Sequence, residues 1–276
     1  MPNSSPKTLP RLTAIPRPIE VSRPLQWLQR GWHDMVSCGG VSYLHGLAMA
    51  VFGALILWAG GERFWFMAGA FSGFLLVAPI LATSLYALSR TLEHGQPTGF
   101  AVVLKTWLNW HSGRFNRWGD GHRNLLKFGV LLALAGTGWV LTSAALITLL
   151  APQAVRTPVE FLQYVVLARS GYLFELWLVL GGVLAAPIFA STVITVPLLL
   201  DRRIGVRDAV LTSWLVILAN PLPMACWAAL IMGLTLLGFG MALLGLVLVV
   251  PLLGHASWHA YRDLLDVTGL PQREDR

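Results

Sequence analysis

The chain has 276 residues, 55% of them hydrophobic and only 12% charged, with a mean hydropathy of +0.64. An ordinary soluble domain carries about 25% charged residues, so lipid must be the solvent for much of this surface. The net charge of +7 does not call for nucleic acid, because no binding signature accompanies it and excess Lys and Arg is what cytoplasmic loops of membrane proteins carry.

Residues 1–24 hold six prolines and four basic residues. They offer too little apolar surface to offset their ordering entropy and read as a disordered cytoplasmic tail. No apolar run follows early enough for a cleaved signal. A membrane domain over 25–266 follows, and 267–276 form a second cytoplasmic tail.

Six runs approach the roughly 20 apolar residues that a membrane-spanning helix needs. They cover about 41–59, 64–88, 125–150, 172–200, 222–237 and 241–261. The last two are separated only by Gly238-Phe239-Gly240 and read as a tight hairpin. Lys105, Arg114, Arg117, Arg123, Arg202, Arg203 and Arg207 fall on one side of this layout, together with both tails. The other side has only Arg63, Arg156 and Arg169. By the positive-inside rule, both termini are cytoplasmic. Cys38 and Cys226 then sit near the reducing face, where a disulfide is not expected.

The spans carry an internal pattern. Ala78-Pro79-Ile80, Ala186-Pro187-Ile188 and Val250-Pro251-Leu252 sit inside the second, fourth and sixth. After Pro79, Tyr86 and Arg90 follow at +7 and +11; after Pro251, Trp258 and Arg262 do the same. Glu93 and Asp201 both stand 14 residues after a proline. A short amphipathic stretch with a tryptophan (Trp27, Trp107 or Trp214) precedes each hairpin, and such a helix can lie in the membrane plane. The expected fold is therefore all-α: a six-span bundle of three parallel hairpin repeats with interfacial helices. The prolines would kink three helices at matched depth.

Ionisable residues inside spans are the candidate functional groups. His255 and His259 share one helix face, Asp263 continues the stripe, and His45 enters the first span to a similar depth. These three imidazoles are candidate ligands for a metal or a haem iron. Their plainer reading is as interface or structural groups, ahead of a substrate or proton path and of ligation. Arg90–Glu93 and Arg262–Asp266 have helical spacing for ion pairs and would rim an inner cavity with Asp201, lined by Tyr86 and Trp258. His94, His111, His122 and Asp120 fall in the basic loop with no ligand spacing, and Gly119-Asp120-Gly121 reads as a turn. No nucleophile-and-base motif, P-loop or dinucleotide fingerprint is visible, so no enzyme activity is expected.

The run from Pro251 to Leu264, PLLGHASWHAYRDL, resembles the closing signature of a bacterial integral-membrane family known as a domain of unknown function. Tyr86–Glu93 and Pro197–Arg202 resemble two further blocks. The resemblance implies a multi-pass protein of the bacterial inner membrane, with no cofactor indicated. Some members carry a label linking them to cytochrome c oxidase subunit I, but a catalytic subunit needs more spans and more intramembrane histidines than this chain of seven histidines offers. Three roles are expected to compete: a small transporter or channel-like component, an accessory or assembly subunit of a membrane complex, and a metal- or haem-binding protein. The expected partners are the lipid bilayer and other membrane subunits or further copies of the chain. Glycines at Gly46/Gly53 and Gly181/Gly182 would allow close helix approach.

Overall fold

The computed structural model describes residues 14–111, 121–168 and 171–272. Asp120 lies outside them, and so do the side chains of Pro79, His111 and His122. Short and long helices alternate along the chain. A short α1 (Arg23–Cys38) leads into α2 (Gly40–Gly60), then α3 (Phe64–Leu81) and α4 (Thr83–Glu93). Next come α5 (Phe100–His111) and α6 (Gly121–Leu150). A short α7 (Pro158–Phe161) with a π-helical turn follows, then α8 (Leu173–Thr192) and α9 (Thr195–Asp201). The last series is α10 (Val206–Ala219), α11 (Pro221–Gly240) and α12 (Leu246–Leu264).

Four helical stretches are long and apolar enough to cross a bilayer: Gly40–Gly60, Lys127–Leu150, Leu173–Asp201 and Pro221–Gly240. The expected second span is divided at Ala82 and the expected fourth at Val193–Ile194. A proline removes an N–H donor and crowds the carbonyl four residues earlier; Pro197 stands four residues after Val193, at the second break, whereas Pro79 and Pro187 lie upstream of the breaks, within α3 and α8. Pro251 likewise sits inside a helix, α12, which continues through it without a break. Its missing N–H leaves the Val247 carbonyl without its helical donor. α2 closes on that point: a Cβ on Gly46 would stand 2.3 Å from Val247 O. Only a glycine lets the two backbones approach so closely. Gly53 lies against Leu243 and Gly181 against Trp139, whereas Gly182 faces open space.

The hairpin between the last two long helices turns later than Gly238-Phe239-Gly240. α11 runs through Gly240, and the turn occupies 241–245, with positive φ at Ala242 and Leu243. Gly245 then packs on Gly238, where a Cβ would meet Gly238 Cα at 2.7 Å.

α1 is not merely interfacial. Its buried stripe of Trp27, Gly31, Asp34 and Met35 docks on α12, and a Cβ on Gly31 would lie 2.6 Å from Ala256 N. Trp32 and Val36 face outward. The main core gathers Trp27, Trp227, Trp258 and Tyr261 with apolar residues of α9 and α10. Trp27 and Trp227 meet edge-on at 5.5 Å.

The tails depart from the expected disorder over their described parts. Ile15–Pro16 (β1) pairs antiparallel with Leu265–Asp266 (β2). Arg17 N donates to Leu264 O, and Ile19 N to Asn220 Oδ1. At the other end, Arg203 N donates to Pro271 O. The backbone hydrogen bonds of the tails are thus made between distant parts of the chain, which local composition does not register.

Two predictions follow from this packing. Gly46→Val should destabilise the protein by about 1–3 kcal/mol through overpacking, whereas Gly182→Ala should be neutral or stabilising by up to about 1 kcal/mol; thermal midpoints in one detergent compare them. The second concerns Asp266, which accepts hydrogen bonds from Thr268 N and Oγ1 and pairs with Arg17, holding its pKa at about 2. A depressed carboxylate stabilises above its unfolded pKa of ~4 and loses that contribution as pH falls toward the folded value. The β1–β2 tether should therefore hold at pH 5 and loosen between about pH 4 and pH 2, read as hydrogen exchange of the tail amides relative to their intrinsic rates.

Candidate functional site

The site forms where α1, α2, α4 and α12 converge. α12 places His255 and His259 on one face, one turn apart. The break at Ala82 starts α4 afresh, so Thr83, Ser84 and Ser89 turn inward and are fully buried. α1 contributes Asp34, and the first turns of α2 contribute Ser42 and His45.

These side chains are joined directly. Ser42 Oγ lies 2.8 Å from His255 Nε2, and Ser89 Oγ lies 2.7 Å from His255 Nδ1. Ser89 donates its own proton to Asp34 Oδ2 at 2.7 Å. His259 Nε2 reaches the same oxygen at 2.8 Å. A hydroxyl has one proton to give. With that proton on Asp34, Ser89 must accept from His255 Nδ1–H, and in the neutral ring Nε2 must then accept from the Ser42 hydroxyl. One tautomer and one direction of donation are thereby fixed, from Ser42 through His255 and Ser89 to Asp34. Burial pushes the Asp34 carboxyl up, but the hydrogen bonds from His259 and Ser89 outweigh it, and its pKa lies below the ordinary value. Asp34 is therefore an anion, in keeping with its two donor contacts from Ser89 and His259. His45 is held separately, between Val41 O and Ser84 Oγ, each at 2.7 Å.

The expected three-imidazole ligand set is not assembled. Both ring nitrogens of His255 and of His45 already face oxygen partners. Among the described residues, no group of three or more His, Cys, Asp or Glu side chains is disposed to hold a metal ion.

The charged residues do come together, but across helices rather than along them. Glu93 accepts from Arg262 at 2.9 Å and from Trp258 Nε1 at 3.0 Å. Arg90 Nε lies 3.7 Å from Asp201 Oδ1, and Asp201 also accepts from Arg202 and Tyr261. Asp266 pairs with Arg17 instead of Arg262. Asp263 accepts from both Arg23 and Trp27. Tyr86 and Trp258, expected to line a cavity, are packed in the core at 5% and 1% exposure. Pro187 and Pro251 sit within α8 and α12 as expected.

Asp34, Ser42, Ser84 and Ser89 were not singled out from sequence. Asp34 had a usable signal: it falls on the apolar stripe of an amphipathic helix, where an acid needs a buried partner. The serines had none, since a serine in an apolar helix also reads as a small packing residue.

A second feature lies away from this cluster. Phe64, Trp65, Trp139, Phe161 and Trp177 surround an apolar cavity of about 250 Å³. The indoles of Trp65 and Trp177 donate to Val155 O and Ser143 Oγ.

The hydrogen bonding of the histidines makes a direct prediction. Metal content and visible spectrum of the purified protein should be the same for the wild type and for the double variant His255→Ala/His259→Ala. A stoichiometric metal or haem lost in the variant would show that the rings leave their serine and aspartate partners to ligate.

No curated protein and no solved structure matches the chain. One family does, over residues 66–201. That stretch holds Ser84, Ser89, Arg90, Glu93 and Asp201 of the site, while Asp34, His255 and His259 lie outside it. The apolar helices described above agree with that family's own description, and residues 66–201 of this multi-pass integral membrane protein match the family described as Predicted integral membrane protein (DUF2189).

Proposed function

We propose that this protein is a small transporter or channel-like component of a bacterial inner membrane, and not an enzyme. In this reading six spans form three hairpin repeats and both ends face the cytoplasm. The divided second and fourth helices count as one span each. Support comes from the element order, in which a short helix precedes a pair of long ones three times: α1 before α2 and α3, α5 before α6 and α8, α10 before α11 and α12. The basic residues between these units agree with the orientation.

The observation that carries the reading is the buried chain of histidine, serine and aspartate side chains drawn from four helices of an apolar bundle. Ionisable groups inside a membrane domain are costly and mark solute or ion pathways. The break at Ala82 lies beside the buried Thr83 and Ser84, and at Val193–Ile194 the Ile194 N–H donates to Ser213 Oγ; interrupted helices beside polar side chains recur near transporter sites. Few charges lie elsewhere in the long helices, which favours a small or weakly charged solute.

A second reading, an accessory or assembly subunit, has its own support. Gly69 and Gly73 stand one turn apart on α3, and nothing lies within 4 Å of a Cβ at either position. Such a pair suits close packing by a further helix. Affinity purification in mild detergent separates the two: a stoichiometric partner lost on Gly69→Leu/Gly73→Leu supports the subunit reading.

For the transporter reading, purified protein in liposomes should move a small solute from a panel of weak acids, amines and neutral metabolites. Asp34→Asn should lower that flux by roughly tenfold or more, while Gly69→Leu leaves it unchanged. Absence of flux for every solute would count against transport.

A further inference from the structure

We propose that Ser42, His255, Ser89, Asp34 and His259 form a proton relay, and that the proton is an ion this protein moves or couples to. The proposal rests on the transporter reading and names its ion.

The relay is continuous. Its heavy-atom separations are 2.8, 2.7, 2.7 and 2.8 Å from Ser42 to His259. Separations of this size let a proton pass from donor to acceptor with little movement of the heavy atoms. The relay is also graded in exposure. Ser42 and His255 are fully buried, the Asp34 side chain is 11% exposed and that of His259 20%. Asp34 also stands 3.9 Å from His33, whose side chain is 83% exposed. One end therefore lies among the helices and the other at the protein surface.

The single direction of donation defines the transfer. A proton arriving at Ser42 Oγ displaces the Ser42 hydroxyl proton onto His255 Nε2. The His255 Nδ1 proton passes to Ser89, and the Ser89 proton passes to Asp34 Oδ2. The neutral carboxyl then releases a proton to water at its exposed edge. One proton enters, one leaves, and every bond to hydrogen that breaks is replaced. Rotation of the two hydroxyls and exchange of the ring proton restore the starting arrangement. An imidazole is suited to the central place, since it can hold a proton on either nitrogen at neutral pH.

The other ionisable groups around His255 can be named. α1 supplies Asp34 and, beside Ser42, the Cys38 thiol, which burial pushes up and keeps protonated. α2 supplies His45, held by Ser84. On α4, Arg90 is directed to Asp201 of α9. None of these interrupts the path from Ser42 to Asp34.

A structural polar network would show the same distances, so the test must read proton movement. Purified protein is reconstituted in liposomes with pyranine inside, and a potassium gradient with valinomycin makes the interior negative. The expected result is acidification of the interior above protein-free vesicles. Ser89→Ala, which deletes the central hydroxyl, should reduce the rate by roughly tenfold or more, whereas Ser89→Thr keeps it within about twofold. His255→Ala should lose the flux and regain part of it when imidazole is added. That rescue would show that a folded protein lacks only its proton carrier. Proton flux no greater than in protein-free vesicles, or a wild-type rate in Ser89→Ala, overturns the relay. Solute flux measured in the same vesicles separates the two claims. A solute that moves with no accompanying proton movement leaves the transporter reading standing and the relay refuted, and silence in both assays removes both.

Discussion

A helix inside an apolar bundle can carry ionisable groups only if other helices answer each of them, and α12 sets that condition for the rest of the molecule. His255, His259, Arg262 and Asp263 occupy its last three turns. Each is met from elsewhere: His255 by α2 and α4, His259 by α1, Arg262 by Glu93 of α4, and Asp263 by Arg23 and Trp27 of α1. In a low dielectric, an unpaired polar group costs far more than a paired one. The register of α1, α2 and α4 against α12 is therefore fixed by chemistry as well as by shape. Sliding any of these helices by one turn would break several contacts together.

The close approaches that make those contacts reachable follow from glycine. Gly31, Gly46 and Gly254 let α1, α2 and α4 settle onto α12, each at a point where a Cβ would collide with the neighbouring helix. Gly46 does so at the carbonyl that Pro251 deprives of its donor. Proline and glycine thus act together across the α2–α12 seam: one frees a carbonyl, and the other brings backbone close enough to shield it. Such close carbonyl contacts recur between packed helices.

The long helices were legible in the sequence because a run of apolar residues is a local property. The boundaries of Gly40–Gly60 and Pro221–Gly240 lie within a few residues of the expected ones. What failed was non-local. Arg90 and Glu93 have helical spacing, and so do Arg262 and Asp266, but each finds its counter-charge on another segment. An i,i+3 or i,i+4 pair on a helix contributes only a few tenths of a kcal/mol, so it holds a side chain weakly against a partner supplied by another segment. The tails misled for the same reason: Arg17 and Asp266 lie at opposite ends of the chain. Asp34 was legible in principle, from its place on the buried stripe of Trp27, Gly31 and Met35. Ser42 and Ser89 were not, because their role exists only once His255 is placed between them.

The same ring separates two interpretations of the histidines that sequence alone could not divide. A metal ligand must offer a nitrogen lone pair to the ion. His255 engages both nitrogens with serine hydroxyls, and the hydroxyl proton of Ser89, committed to Asp34, dictates which nitrogen bears hydrogen. The orientation is thus inherited from a carboxylate two bonds of the network away, on a helix that the apolar runs place outside the spans. An arrangement that fixes one tautomer of a buried imidazole, and connects it through a hydroxyl to a partly exposed anion, supplies the requirements for directed proton transfer. A purely structural role would require only that the polar atoms be satisfied. The graded exposure from Ser42 to His259 is the additional property, and it ties the buried ring to the protein surface.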